Sequence, residues 1–149
     1  MCVLVPASQI ASIMGKQVGQ PGVANSRVAT TCVYPAAHGA AKTDAVIISF
    51  RGGVTSAVAG SEQAAVRKLH GTTTDVSGNG DTAYTYTVTT GGKTVTTLVT
   101  LVGTTQVTIT STAAVDKIEA MAQQVFATFA AQSSSSTSTT GTTATTAAP

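Results

Sequence analysis

The fold of this chain is decided by residues 82–110, which read TAYTYTVTTGGKTVTTLVTLVGTTQVTIT. Apolar and hydroxyl residues alternate there with a period of two, which is the spacing of side chains along a β-strand. Two turn signals divide the stretch, the pair Gly91 and Gly92 and the pair Gly103 and Thr104, and both suit tight hairpins. The pattern therefore predicts three consecutive antiparallel strands, which cover residues 82–88, 94–102 and 105–110.

The middle strand of the three carries apolar residues on both of its faces. Val95, Val99 and Leu101 share one face, whereas Leu98 and Val102 lie on the other. A strand with two apolar faces is typical of the interior of a sheet that is covered on each side. We therefore expect packed elements both above and below this strand.

Three segments show the apolar spacing of helices. The last begins after Thr112 and has an apolar stripe from Val115 to Phe129, which predicts an amphipathic helix lying on the hairpin sheet. Pro6 suits the first position of the first helix, and Gly15 suits the left-handed residue that follows its end. The predicted helices are residues 6–14, 56–70 and 112–131.

Two further strands, over residues 30–34 and 44–51, are predicted from their β-branched and aromatic residues. Residues 16–27 contain Gly19, Pro21 and Gly22 and are predicted to form a loop. The order of elements predicts an α+β fold with a mainly antiparallel sheet of about five strands. The short N-terminal helix, the middle helix and the C-terminal amphipathic helix pack on this sheet. We expect this single domain to span residues 1–132.

The C-terminal segment has a different composition. Residues 133–149 read SSSSTSTTGTTATTAAP and contain no apolar residue larger than alanine. Such a segment buries too little apolar surface to offset the entropy of ordering it, so we expect it to be disordered. Ser/Thr-rich tails are typical of O-glycosylated stalks on exported proteins, and a plain flexible terminus is the alternative.

Composition excludes several classes of partner. Charged residues are 9% of the chain, against about 25% in ordinary globular proteins, and threonine is the commonest residue. With a net charge of +2 and no tryptophan, the chain has neither a basic stripe nor stacking platforms, so we expect no nucleic-acid partner. No apolar run reaches the length of a membrane span. We expect no cofactor, no metal, no transmembrane span and a monomer.

The two cysteines, Cys2 and Cys32, allow three interpretations. A disulfide between them would stabilise the fold by about 3–4 kcal/mol and would require an oxidising compartment. Two buried free thiols in a cytosolic protein are the second interpretation, and a lipidated Cys2 is the third. Low charge and the Ser/Thr tail favour export. We therefore expect an extracellular or cell-envelope location. No signal peptide is visible, so we expect any membrane anchor in a segment that precedes Met1.

The order of motifs resembles a family of secreted actinobacterial lipoproteins, the domain of unknown function family 3558. The opening CVLVPASQIASIMG is similar to the family's cysteine followed by a short helix that ends in glycine. Cys32, two residues before Tyr34, resembles the family's second cysteine near an aromatic residue. The stretch VSGNGDTAY at residues 76–84 resembles a later glycine-rich turn of the family. The resemblance implies export to the cell envelope and supplies no activity. Val5 departs from the family's helix cap, and Asn79 stands where the family has an apolar residue.

Candidate site chemistry is sparse. In the turn, Gly78 and Gly80 permit positive φ and Asp81 can accept backbone N–H bonds, which favours a structural role over ion binding. The only histidines are His38 and His70, and no G-x-S-x-G elbow or carboxylate pair accompanies them. We therefore expect no catalytic residues and a non-catalytic envelope module that binds a protein, glycan or lipid. The alternative is a small extracytoplasmic hydrolase that uses one of these histidines.

A ligand site is also predicted. The first and middle helices are short or rich in alanine, so they are expected to fill their side of the sheet incompletely. A gap between a sheet and such helices is where an apolar pocket forms. We therefore predict a hydrophobic cleft for an acyl or isoprenoid chain, lined by Ile10, Met14, Leu69 and Leu98. The alternative is a closed core without a pocket.

Overall fold

The structure is a computed structural model that describes residues 1–37 and 44–135. Within these residues the chain forms three α-helices and one antiparallel sheet of seven strands. The helices are α1 (Ala7–Met14), α2 (Ser56–His70) and α3 (Val115–Ser135), and a single 3-10 turn precedes α1 at Cys2–Leu4. The strands are β1 (Gly22–Asn25), β2 (Ala29–Tyr34), β3 (Val46–Arg51), β4 (Thr74–Asp75), β5 (Thr82–Thr90), β6 (Lys93–Val102) and β7 (Thr105–Ser111). The predicted α+β class is thereby confirmed, with seven strands rather than about five.

The order of strands across the sheet is β1-β2-β3-β7-β6-β5-β4. The predicted hairpins place β5, β6 and β7 side by side, and β6 lies between two strands as its two apolar faces indicated. The additional strands are β1 and β4, which lie at the two edges. The prediction of a loop over residues 16–27 is wrong at β1, because these four exposed residues become a strand by pairing with β2 and not through an apolar pattern.

The two faces of the sheet differ in how they are covered. The face that carries Cys32, Ile48, Leu98 and Ile109, which we call the core face, packs against α1 and α3. All four side chains are fully buried, together with Ile10 from α1 and Ile118 and Met121 from α3. The other face, which carries Ile47, Thr110, Tyr84 and Tyr86 and which we call the groove face, packs against α2 over its β5 half.

The N-terminal segment is fixed to the core face by covalent and polar contacts. Cys2 and Cys32 form a disulfide with their Cα atoms 5.5 Å apart, and both cysteines are buried. The buried Tyr34 hydroxyl donates a hydrogen bond of 2.6 Å to the Val5 carbonyl oxygen. Lys117 of α3 donates a 2.6 Å hydrogen bond to the carbonyl oxygen of Met14, at the end of α1 where unpaired carbonyls need donors. These contacts hold α1 beside α3.

The glycine-rich turn before β5 has the structural role predicted for it. Gly78 and Gly80 both have positive φ, at 78° and 91°. The Asp81 carboxylate accepts a 2.7 Å hydrogen bond from the backbone N–H of Gly103, and the Thr100 hydroxyl donates to the Asn79 carbonyl oxygen. The turn is therefore fixed against the end of the β6–β7 hairpin.

Two predictions involve residues at or beyond the limits of the description. The helix α3 extends to Ser135, so the predicted start of the tail at residue 133 falls inside the helix. Each further helical residue gains a backbone hydrogen bond once a helix is nucleated, so the helix can extend beyond the last residue of its apolar stripe. Residues 136–149, the remainder of the predicted tail, and His38 lie outside the described residues.

Candidate functional site

A groove of about 320 Å³ lies on the groove face, between α2 and the sheet. Its lining combines apolar, aromatic and polar side chains from four elements. The apolar and aromatic members are Ala65, Val66 and Leu69 of α2, Tyr84 and Tyr86 of β5, and Val99 of β6. The polar members are Glu62 of α2 and, from β7, Gln106 and Thr108.

Three rings form a ladder along one end of this groove. The alternation of β5 places Tyr84 and Tyr86 on the same face of the sheet, with ring centroids 6.5 Å apart. The ring of His70, the last residue of α2, stacks on Tyr86 at a centroid distance of 5.4 Å and an angle of 12°. The ladder joins the end of α2 to β5 through ring surfaces.

A carboxylate bound on both oxygens connects α2 to the middle of the sheet. Glu62 Oε1 accepts a 2.6 Å hydrogen bond from Arg51 Nη1, and Glu62 Oε2 accepts one of 2.6 Å from Gln106 Nε2. Burial alone would raise the pKa of Glu62, but the hydrogen bonds from Gln106 and Arg51 and the charge of Arg51 outweigh it and lower the pKa. Glu62 is therefore held as a carboxylate that orients α2, and not as a proton donor.

The phenol of Tyr84 stays neutral over a wide pH range. Burial, followed by the effects of Tyr86 and Glu62, raises the pKa of Tyr84 to about 12. A neutral phenol presents both a hydrogen-bond donor and an acceptor at physiological pH. The floor of the groove therefore combines a ring surface with a polar group that carries no charge.

Two other residues of α2 attach it to β4 and to the segment before it. Gln63 Nε2 donates a 2.7 Å hydrogen bond to Asp75 Oδ1, and Arg67 Nε donates one of 2.7 Å to the Thr73 hydroxyl. Arg67 Nη2 also lies 3.6 Å from Asp75 Oδ1. With Glu62 at one point and these bonds at another, the helix wall of the groove is fixed in two places.

The most exposed apolar side chain of the groove is Leu69, at 77% exposure. It projects beside the ring ladder, while the neighbouring Val66 is partly buried. Binding sites for small ligands combine apolar and aromatic walls with a few placed polar groups. The groove has this composition.

The four residues predicted to line a cleft do not lie together. Ile10, Met14 and Leu98 are buried in the core under α1 and α3, where their exposures are 0%, 4% and 0%. Leu69 lies on the opposite face of the sheet. The prediction assumed that α1 and α2 lie on the same face of the sheet. Instead, the disulfide to Cys32 and the contact with α3 hold α1 on the core face, and α2 alone covers the other.

The other candidate residues are distributed as follows. Cys2 and Cys32 are joined as predicted by the first of the three interpretations. His70 stacks on Tyr86 in the ring ladder. Sequence reasoning missed Glu62, Arg51 and Gln106, which are brought together from three elements. The alternation that places Tyr84 and Tyr86 on one face was the available signal for the groove floor.

The comparisons with known proteins leave the family open: no family model, no curated protein and no solved structure matches this chain. In the part of the chain that the structure describes, no helix is both long enough and apolar enough to cross a membrane. Across residues 1–37 and 44–135, no three His, Cys, Asp or Glu side chains gather into a group that could hold a metal ion.

Proposed function

We propose that this chain is a non-catalytic, exported binding module of the cell envelope, and that it binds its ligand in the groove beneath α2. The observation that carries the binding role is the fixed groove, in which the exposed Leu69 lies beside the ladder of Tyr84, Tyr86 and His70. The groove combines apolar and aromatic walls with a few placed polar groups, which is the composition of sites that bind small ligands.

Export is supported by the cysteine pair and by the resemblance to the secreted lipoprotein family. A buried disulfide persists in oxidising compartments and is rare in the cytosol. Low charge and a Ser/Thr-rich tail are consistent with the same location. Fractionation of cells that express the natural gene tests this directly: we expect the protein in the envelope or the medium, and a cytosolic protein with two free thiols would contradict export.

The groove itself is tested by titrating the isotope-labelled protein with soluble members of three classes. The probes are a muropeptide, a neutral oligosaccharide and a short-chain phospholipid below its micelle concentration. We expect one class to shift the backbone resonances of α2, β5 and β6 in a saturable way. Saturable shifts confined to another surface, or none with any probe, would contradict this site.

A matched pair of variants separates the groove from general surface effects. Leu69→Asp places a charge at the mouth of the groove and is expected to weaken binding at least about tenfold, which corresponds to about 1.4 kcal/mol. Val28→Asp adds the same charge at a side chain that is 66% exposed in the turn between β1 and β2. Val28→Asp is expected to bind like the unmodified protein, and an equal loss in both variants would contradict the assignment.

A further inference from the structure

The N-terminal half of α2 buries few apolar side chains against the sheet. Ala59 is the one buried residue of the helix, and it forms a cluster of three side chains with Val54 and Leu101. This cluster is separate from the main core under α1 and α3. Local opening of a protein costs least where few apolar contacts are buried. The N-terminal half of α2 therefore has little apolar burial to oppose its separation from the sheet.

Glycines flank α2 on both sides. Gly52 and Gly53 come directly before Val54, and Gly71 comes directly after His70. Apart from its chain neighbours, a Cβ added at any of these three glycines would meet no described atom within 4 Å. Hinges of moving segments are a few residues at the ends of elements that absorb changes in φ and ψ, and glycine in open space absorbs them at the lowest cost. The connections of α2 therefore have the residues that a hinge requires.

The C-terminal half of α2 is tied to β4 and β5. Arg67 Nε donates a 2.7 Å hydrogen bond to the Thr73 hydroxyl, and Arg67 Nη2 lies 3.6 Å from Asp75 Oδ1 of β4. The ring of His70 stacks on Tyr86 of β5. Because these contacts lie at one end of the helix, they define a pivot about which the other end can lift.

Of the two places at which α2 is fixed, the one nearer its N-terminal end is a single carboxylate. Glu62 accepts hydrogen bonds of 2.6 Å from Arg51 of β3 and from Gln106 of β7. A shallow depression of about 360 Å³ lies along the N-terminal half of α2, and it shares Glu62 and Ala65 with the groove. Glu62 therefore lies at the boundary between the depression and the groove.

We propose that α2 is a lid over the groove, and that its N-terminal half lifts as a folded helix with Gly52 and Gly53 as the hinge. Lifting separates Glu62 from its two partners and joins the depression to the groove. It also uncovers Leu101, which is 2% exposed when the lid is closed. The sheet beneath stays intact, because β6 remains paired with β5 and β7. The inference rests on the proposed function only for the ligand that the opened groove admits.

Labelling of a buried thiol measures the opening without any ligand. Cys2 and Cys32 are joined, so Leu101→Cys adds one free thiol beneath the lid, and the matched variant Leu98→Cys adds one on the core face of the same strand. We expect Leu101→Cys to react at least about 100-fold faster than its own global unfolding, measured in urea, allows. Leu98→Cys is expected to react only through global unfolding. Labelling of Leu101→Cys at the rate set by global unfolding would overturn the lid.

Amide exchange makes the same measurement in the unmodified protein, where no side chain has been shortened. The Val54 N–H donates a 3.0 Å hydrogen bond to the Thr104 carbonyl oxygen, and the Asp81 N–H donates one of 2.8 Å to that of Leu101. Only Val54 moves with the lid, so its amide is expected to exchange faster than that of Asp81 after correction for intrinsic rates. Amides in the middle of α2 are expected to exchange more slowly than Val54, because the helix stays folded. Equal exchange of Val54 and Asp81, or of Val54 and the middle of α2, would overturn the proposal.

The role of Glu62 in closing the lid is tested in the Leu101→Cys protein. Glu62→Gln is expected to speed thiol labelling about two- to fivefold, which is the range for a partly exposed ion pair. The matched change is Asp44→Asn, which removes a carboxylate of similar exposure that lies 3.5 Å from Lys16. Asp44→Asn is expected to leave the labelling rate unchanged. Equal acceleration by both changes, or none by either, would overturn the assignment of Glu62 as the contact that closes the lid.

Failure of the lid is distinguishable from failure of the groove as a binding site. Labelling and amide exchange are measured without ligand, whereas the groove is tested by the resonance shifts that the three probes cause. A protein whose lid opens but whose groove resonances shift with no probe contradicts the binding site alone. Saturable shifts in the groove of a protein whose Leu101 thiol reacts only through global unfolding contradict the lid alone.

Discussion

The two faces of the sheet are built from the same strands and serve different purposes. On the core face, two helices and a disulfide surround side chains such as Ile48, Leu98 and Ile109 that have no exposure at all. On the groove face, Ala59 is the one buried residue of α2, and polar bonds from Glu62 and Gln63 hold the helix in place. The difference shows that stability is concentrated on the core face, which leaves the groove face available for binding.

The largest expected effect tests this contrast directly. Ile109→Ala removes a fully buried side chain from the centre of the core face and is expected to cost about 2–5 kcal/mol of unfolding free energy. Leu69→Ala on the groove face is expected to change it by less than about 0.5 kcal/mol, because the side chain is mostly exposed. Urea unfolding measures both, and similar losses would contradict the difference between the faces.

The disulfide is the second test of the core face. Replacing both Cys2 and Cys32 by alanine removes a cross-link across a sequence separation of 30 and is expected to cost about 3–4 kcal/mol. The matched measurement is unfolding of the unmodified protein with and without a reductant, which is expected to reproduce the loss, whereas the double variant is expected to be insensitive to reductant. A double variant as stable as the unmodified protein would mean that packing alone fixes the N-terminal segment.

The glycine turn offers a test at the end of the β6–β7 hairpin. A Cβ added at Gly80 would lie 2.5 Å from the Leu101 carbonyl oxygen and 2.6 Å from Thr100 Oγ1, and φ there is positive. Gly80→Ala is therefore expected to cost about 2–3 kcal/mol, from backbone strain and crowding together. Gly78 has positive φ but open space around it, so Gly78→Ala is expected to cost about 1 kcal/mol. Thermal or urea unfolding measures the difference, and equal costs would show that the turn can move away.

The sequence predicted the elements of this fold better than their arrangement. The alternation around Tyr84 and Val99 and the stripe of α3 are local patterns, and both predictions are confirmed. The edge strands β1 and β4 have no such pattern, because they are strands only through the neighbours with which they pair. The side of the sheet that α1 occupies also depends on tertiary contacts, which local spacing does not contain.

The candidate site was predictable only in part for the same reason. A period of two places Tyr84 and Tyr86 on one face, but nothing local brings His70 onto Tyr86. Glu62 and Gln106 are 44 residues apart in sequence, and their hydrogen bond forms only after α2 lies across β7. The predicted position of Leu69 beside Ile10 and Met14 was wrong, because α2 lies on the groove face whereas α1 packs on the core face.

The smallest expected effect concerns the carboxylate that attaches α2 to the groove face. The folded-state pKa of Glu62 lies below its ordinary value of 4.5, so the folded state releases this proton more readily than the unfolded state does. The resulting stabilisation is fully present above pH 4.5 and is lost as the pH falls through the lower folded value. It is modest because the side chains of Arg51 and Glu62 are 39% and 34% exposed and water screens their charges.

Glu62→Gln removes the charge while keeping the size and one acceptor oxygen, so it isolates this contribution. We expect the variant to be less stable than the unmodified protein near neutral pH and the two unfolding midpoints to converge as the pH falls below 4.5. In the matched variant Gln106→Ala, which removes one donor, a carboxyl titration followed by NMR is expected to give a higher pKa for Glu62. A stability difference that is constant or grows in acid would mean that α2 is held on the sheet by packing rather than by this ion pair, and the groove face would then resemble the core face more than its exposure indicates.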